Sequence, residues 1–241
     1  MIDGYFWTMP KEQALAQHVA SDVPIIASSN GDDLDAGMNP ITRAHTVGEY
    51  REIAETMYGP MAAEFLELYP AKTDADVQPA AHRAAWEGGL LQSSRACGEL
   101  KSKYTTTSTF IDLFTHRHPY APGVTFPDQN TATVGAYHTA DVPYWLDTLD
   151  KYNSLRPTRV WTAWDRRLTD RMFGALVALA ETGSPSNGEL KWPAYNAASP
   201  QYVVLGEAMT VEKLPVKRMD WQAAHPVSPA SRTPARSGPR D

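Results

Sequence analysis

Apolar and polar positions along the chain switch between a short, strand-like pattern and a helical one, and the switching predicts an α/β protein. Residues 23–29 read Val-Pro-Ile-Ile-Ala-Ser-Ser, a short apolar run ending in small polar residues, which suits a strand buried on both faces. The next six residues, Asn30-Gly31-Asp32-Asp33-Leu34-Asp35, are rich in turn formers. Thr46 and Glu49 have the spacing of a capping box, and Tyr50, Ile53, Ala54, Met57 and Tyr58 follow on one helical stripe. Gly59-Pro60 ends that helix and can open another, with Met61, Phe65, Leu66 and Tyr69 as its stripe and Pro70 as its stop. Residues 79–100 read as helix broken at Gly88-Gly89, and residues 105–114, rich in β-branched side chains, read as a strand. A loop from His116 to about Gly135 precedes a short helix over 141–149. The longest helix is predicted over 163–181, with Trp164, Leu168, Met172, Ala175, Leu176 and Leu179 on one stripe. Gly183 and Pro185 stop it in the expected order. Residues 202–205 form a last short strand. Strands alternating with long helices predict a mainly parallel sheet.

Composition narrows the picture. The chain has 241 residues, 42% hydrophobic and 21% charged, enough for a hydrophobic core without covalent staples. Cys97 is the only cysteine, which excludes an intramolecular disulfide and a Cys-rich zinc site. A net charge of −6 argues against a nucleic-acid partner, since phosphate backbones are gripped by a basic surplus. No apolar run reaches the roughly 18 residues of a membrane span. The chain starts Met-Ile-Asp-Gly-Tyr-Phe-Trp, with no basic-then-apolar leader, and is expected to begin in the middle of a domain. Its end, rich in Pro, Arg and Ser from Pro226 onward, predicts a disordered tail over 223–241.

Three places carry candidate chemistry. The loop at residues 30–35 lacks the spacing of a calcium loop. It is either a solvated acidic turn or a carboxylate presented at a strand end, where functional groups of open α/β sheets collect. His138, in Gly135-Ala136-Tyr137-His138-Thr139-Ala140-Asp141-Val142-Pro143-Tyr144, is either a surface histidine or a general base, because imidazole titrates near neutrality. His116 and His118 form an H-x-H pair, and a metal-dependent reading needs a third ligand that the sequence does not supply nearby. No cofactor or metal is expected. The serine hydrolase pentapeptide G-x-S-x-G occurs nowhere in the 241 residues, and the nearest approach, at 183–188, has the wrong spacing. Phosphate-loop and dinucleotide fingerprints are absent as well.

Several segments, in order, resemble the C-terminal portion of type-B carboxylesterases, the family of cholinesterases and bacterial para-nitrobenzyl esterases. The resemblance covers most of residues 1–222. It rests on Asp3-Gly4, Pro24-Ile25-Ile26-Ala27-Ser28-Ser29-Asn30-Gly31-Asp32-Asp33, the 58–70 helix pair, and Gly135-Ala136-Tyr137-His138 with Asp141-Val142-Pro143-Tyr144. The helix and exit at 170–185 and Trp192-Pro193-Ala194-Tyr195 extend it. The resemblance implies the C-terminal part of an α/β-hydrolase fold, with helical insertions. It also implies a Ser–His–Asp/Glu triad in which His138 is the base and Asp33 the acid. The family has Glu followed by Gly at the acid position, whereas this chain has Asp33 followed by Leu34, so the loop must approach more closely or Asp35 must serve instead.

The implied reaction is hydrolysis of a small-molecule carboxylic ester through an acyl-enzyme. Family members are about twice this long, and their serine and oxyanion glycines precede the matched portion. The expected partner is therefore the missing N-terminal half of the same domain, without which the chain is expected to be inactive and to fold poorly. The alternative is a non-catalytic binding or adhesion module, since some relatives have lost their triad. Tyr5, Phe6, Trp7 and Trp145 either line an apolar pocket or belong to the core.

Overall fold

A computed structural model describes residues 2–5, 8–33, 38–127, 129–188 and 190–227. Along the chain it contains α1 (Lys11–Ala16), β1 (Ile25–Asn30), α2 (Val47–Tyr58), α3 (Ala62–Leu68), α4 (Asp74–Gly88), α5 (Leu90–Tyr104) and β2 (Thr109–Phe114). There follow α6 (Val142–Trp145), α7 (Leu149–Tyr152), α8 (Ala163–Thr182), β3 (Gln201–Leu205), β4 (Met209–Lys213) and α9 (Val216–Ala224). These form two units. The first takes the chain up to Asn30 together with Leu91–Leu214, and the second takes Gly31–Leu90 with the chain from Pro215 on.

The first unit is built on a four-stranded sheet of order β1-β2-β3-β4. β1, β2 and β3 run parallel, with Ile25 opposite Thr109 and Asp112 opposite Val203, and β4 runs antiparallel to β3. All six residues of β2 are buried, as a strand covered on both faces requires. Phe110, Phe114, Val203 and Leu205 of the sheet pack with Leu168, Met172 and Ala175 of α8 and with Tyr144, Trp145 and Trp192. Trp145 is thus a core residue, whereas Tyr5 is almost wholly exposed, and Phe6 and Trp7 lie outside the described residues. α8 begins at a reciprocal Thr162–Asp165 capping box and ends at Gly183, whose φ of 77° is the left-handed conformation glycine adopts without strain.

The sheet corrects three expectations. Residues 105–108, three threonines and a serine, are not strand. The Asp22 carboxylate accepts from the Thr106 amide (2.9 Å) and hydroxyl (2.7 Å) and from the Thr107 amide (3.2 Å), so a turn replaces the ladder there. The helix expected over 141–149 is two short ones, α6 and α7, separated where Asp147 takes a φ of 50°. β4, Met-Thr-Val-Glu-Lys, escapes the sequence pattern because it is mostly exposed and carries no apolar run.

The second unit is helical. The Thr46–Glu49 box is formed in both directions and starts α2. Pro60 occupies the first turn of a short 3-10 stretch, Gly59–Met61, that leads into α3. α4 starts at Asp74, five residues before the expected position, under a second box made by Thr73 and Asp76, and it absorbs Pro79. Tyr50, Tyr58, Phe65, Tyr69, Val77 and Trp221 form its core. The Arg218 guanidinium of α9 donates to both Glu87 carboxylate oxygens at 2.7 and 2.6 Å, and the Tyr69 hydroxyl donates to the same buried carboxylate at 2.9 Å. That bidentate pair ties α9 to α4. Residues 228–241, most of the segment expected to be a disordered tail, lie outside the described residues.

Candidate active site

The carboxyl ends of the three parallel strands carry the polar chemistry of the first unit. β1 ends at Asn30, β2 runs on to His116 and His118, and β3 runs on to Glu207. Ligand sites of open α/β sheets gather at this end because the strands stop there and leave backbone and loop groups exposed above the core.

The His138 segment is fixed above these strand ends. Ala136 and Ala140 are fully buried, so both ends of the segment are anchored in the core while His138 between them is exposed. The Ala140 amide donates to the Tyr137 carbonyl at 2.9 Å, closing a four-residue turn with His138 and Thr139 at its centre. Thr139 has a φ of 70°. That left-handed position suits Gly or Asn, and a β-branched residue there costs of order 1–3 kcal/mol and persists only where its surroundings enforce it. The surroundings do so here. The Asn30 amide nitrogen donates to the Tyr137 carbonyl (2.8 Å) and to the Asp141 carboxylate (3.0 Å), tying β1 to both sides of the turn.

Beneath the turn lies a buried polar network. The His118 Nε2–H donates to the Ala140 carbonyl at 2.7 Å, and its Nδ1 accepts from the Tyr137 hydroxyl (3.1 Å) and from Arg159 Nε (3.3 Å). Burial pushes the His118 imidazole down to about 4, and the neighbouring Arg159 charge acts in the same direction. His116 faces carboxylates with both ring nitrogens, Asp165 at 2.8 Å and Glu207 at 3.1 Å. Asp165, fully buried, also accepts from the Tyr144 hydroxyl at 2.6 Å and from the Thr162 amide at 2.7 Å. Burial alone would raise the Asp165 carboxyl, but the bonds from His116, Thr162 and Tyr144 outweigh it and hold the group well below the usual carboxylate range.

His116 and His118 therefore spend their ring nitrogens on carboxylates, a hydroxyl, a guanidinium and a carbonyl. Among the described residues no cluster of three or more His, Cys, Asp or Glu is arranged to hold a metal ion. Asp33 is buried, three residues beyond β1, and belongs to the second unit, where its neighbour Asp32 approaches His82 Nδ1 at 2.7 Å. Asp35, the other candidate acid, lies outside the described residues.

Sequence reasoning missed the supporting groups Asn30, Tyr137, Arg159 and Asp165. Only Asp165 left a signal, since Thr162-x-x-Asp165 is a capping-box spacing at the head of the longest helix. Arg159 sits in a loop with no local pattern, and its role arises only through contacts distant in sequence.

Residues 1–223 match the carboxylesterase family. The chain is 22% identical over 211 residues to the para-nitrobenzyl esterase of Bacillus subtilis (strain 168), covering 86% of this chain and 40% of that protein. It is 25% identical over 201 residues to the fumonisin B1 esterase of Sphingopyxis macrogoltabida, covering 81% of this chain and 34% of that one. Among solved structures, a PNB esterase superposes with a TM-score of 0.55 at 19% identity, over 90% of this chain and 42% of its own. That likeness gives the fold, an α/β-hydrolase sheet with helical insertions. The chain spans about two fifths or less of the length of these relatives.

Proposed function

The chain belongs to the carboxylesterase family, and from that membership we propose that it supplies the base and the acid of a Ser–His–Asp triad that hydrolyses small carboxylic esters. One observation carries the reading: an exposed histidine at the apex of a strained, multiply tethered turn above the carboxyl ends of parallel strands. His138 accepts the proton of a serine hydroxyl as that oxygen attacks the ester carbonyl, then returns it to the departing alcohol. Water repeats the cycle on the acyl-enzyme. Asp33 accepts a hydrogen bond from the second ring nitrogen, fixing the tautomer and steadying the imidazolium. The serine and oxyanion donors come from sequence outside these 241 residues, which hold no G-x-S-x-G. The chain alone is accordingly inactive.

The test pairs the chain with the N-terminal portion read from upstream of its coding sequence. A fluorophosphonate probe is expected to label the serine of the paired protein. Labelling is expected to be lost in His138→Ala, and the 241-residue chain alone should show none. A well-folded paired protein that stays unlabelled would overturn the esterase reading and leave a binding module in its place. Equal labelling with and without His138 would remove that residue from the mechanism.

A further inference from the structure

We propose that His118 is the positioning residue of the His138 turn, bracing it at Ala140 on one side and at Tyr137 on the other. The inference deepens the esterase reading and rests on it for the role of His138, while the brace itself is a matter of geometry. A carbonyl oxygen can only accept, so the 2.7 Å contact with Ala140 places the ring proton on Nε2 and leaves Nδ1 as an acceptor. Two donors converge on that acceptor, the Tyr137 hydroxyl and Arg159 Nε. Arg159 also donates to the Tyr137 hydroxyl at 3.0 Å, so the three side chains form a closed set. One ring thereby holds residues 137 and 140, the first and last of the turn.

The surroundings keep this ring in one state. The rings of Tyr137, Tyr144, Tyr152 and Trp161 lie 5.2, 5.8, 5.7 and 5.3 Å from its centroid, enclosing it in aromatic surface. A second proton on Nδ1 would meet the Arg159 N–H head on. The ring stays neutral and keeps the same tautomer through the neutral pH range. The brace also answers the strain at Thr139. A left-handed threonine relaxes when its neighbours release it, and relaxation would swing the adjacent His138 away from the strand ends.

The test compares His118→Phe, which fills the space without either polar contact, with His118→Gln, whose amide N–H can reach the Ala140 carbonyl. In the paired protein, amide exchange at Ala140 and Val142 is expected to quicken at least tenfold in the Phe variant. The sheet amides of Ile111 and Val203 should keep their wild-type rates, and Gln should restore most of the protection. For a chromogenic ester, kcat is expected to fall on the order of 10²-fold in the Phe variant with KM little changed, as displacement of a reacting group by about 1 Å produces. In the wild type, ring-nitrogen NMR should show an Nε2–H tautomer that does not titrate above pH 5. Wild-type exchange at Ala140 in the Phe variant, or a titrating His118, would overturn the brace whether or not the protein is an esterase. Quickened exchange with unchanged kcat would overturn its link to His138. An inactive wild type with the predicted exchange pattern would sink the esterase reading and leave the brace standing.

Discussion

Replacing Asp165 by alanine is expected to cost about 3–5 kcal/mol of folding stability at neutral pH, the range seen when one partner of a buried charged network is removed. The carboxylate closes the cap of α8 through the Thr162 amide and hydroxyl, and it receives His116 Nε2 and the Tyr144 hydroxyl from the core side. Alanine would leave a buried imidazole and a buried phenol without this acceptor and uncap the longest helix of the first unit. Asp165→Asn keeps the shape and one acceptor and should cost less. The pH dependence has a definite sign. Because the fold holds this carboxyl below its ordinary value, its contribution is complete above the unfolded pKa, near 3.9, and disappears as pH falls below it. Urea unfolding at pH 7 and near pH 3 reads both effects. A gap between wild type and Asp165→Ala that is as wide at pH 3 as at pH 7 would contradict this account.

Asp112→Asn should act in the opposite direction and stabilise the protein at neutral pH. Asp112 is fully buried in β2. Its Oδ1 accepts from the Ser28 hydroxyl at 2.8 Å, and its Oδ2 has no hydrogen-bond partner among the described residues. Burial pushes the carboxyl well above its ordinary range, and the Asp141 charge adds to the effect while the Ser28 bond opposes it. The native state therefore holds a proton that the unfolded chain has released. Stability is lost as pH rises above about 3.9, by at most about 1.4 kcal/mol per pH unit, until the folded group itself ionises. Asparagine keeps the acceptor for Ser28 and carries no such proton. The gain is expected to be largest at pH 7, reduced somewhat by the additional amide N–H it buries, and to vanish near pH 4. Unfolding curves for the two proteins that stay parallel from pH 4 to pH 7 would show that Asp112 is ionised in the fold.

The elements legible in the sequence are those whose signals are local. The Thr46–Glu49 box, the Gly59-Pro60 junction and the Gly183 stop each bring their own backbone chemistry, and α2, α3 and α8 lie where those residues put them. One error arises where a distant residue decides, since Asp22 turns the threonine run after α5 into a loop. Another is local, since the Thr73–Asp76 box starts α4 five residues ahead of Pro79. The candidate site divides in the same way. His138 stands in a segment recognisable by resemblance, whereas its supports come from β1, from the stretch after β2 and from a loop near residue 159. Their convergence exists only after folding, so no spacing in the sequence announces it.

The tether at Asn30 narrows what evolution or an engineer can place at that position. Its backbone closes the β1–β2 register opposite Phe114, while its one side-chain nitrogen serves two acceptors on either side of His138. Meeting both demands takes a short stem and two N–H groups on one atom. Aspartate has the stem but no donor and would set a second carboxylate against Asp141. Glutamine has the donors on a longer stem, and serine has a single donor. Mutational tolerance at residue 30 should be close to nil, although the residue carries no charge and takes no part in moving a proton.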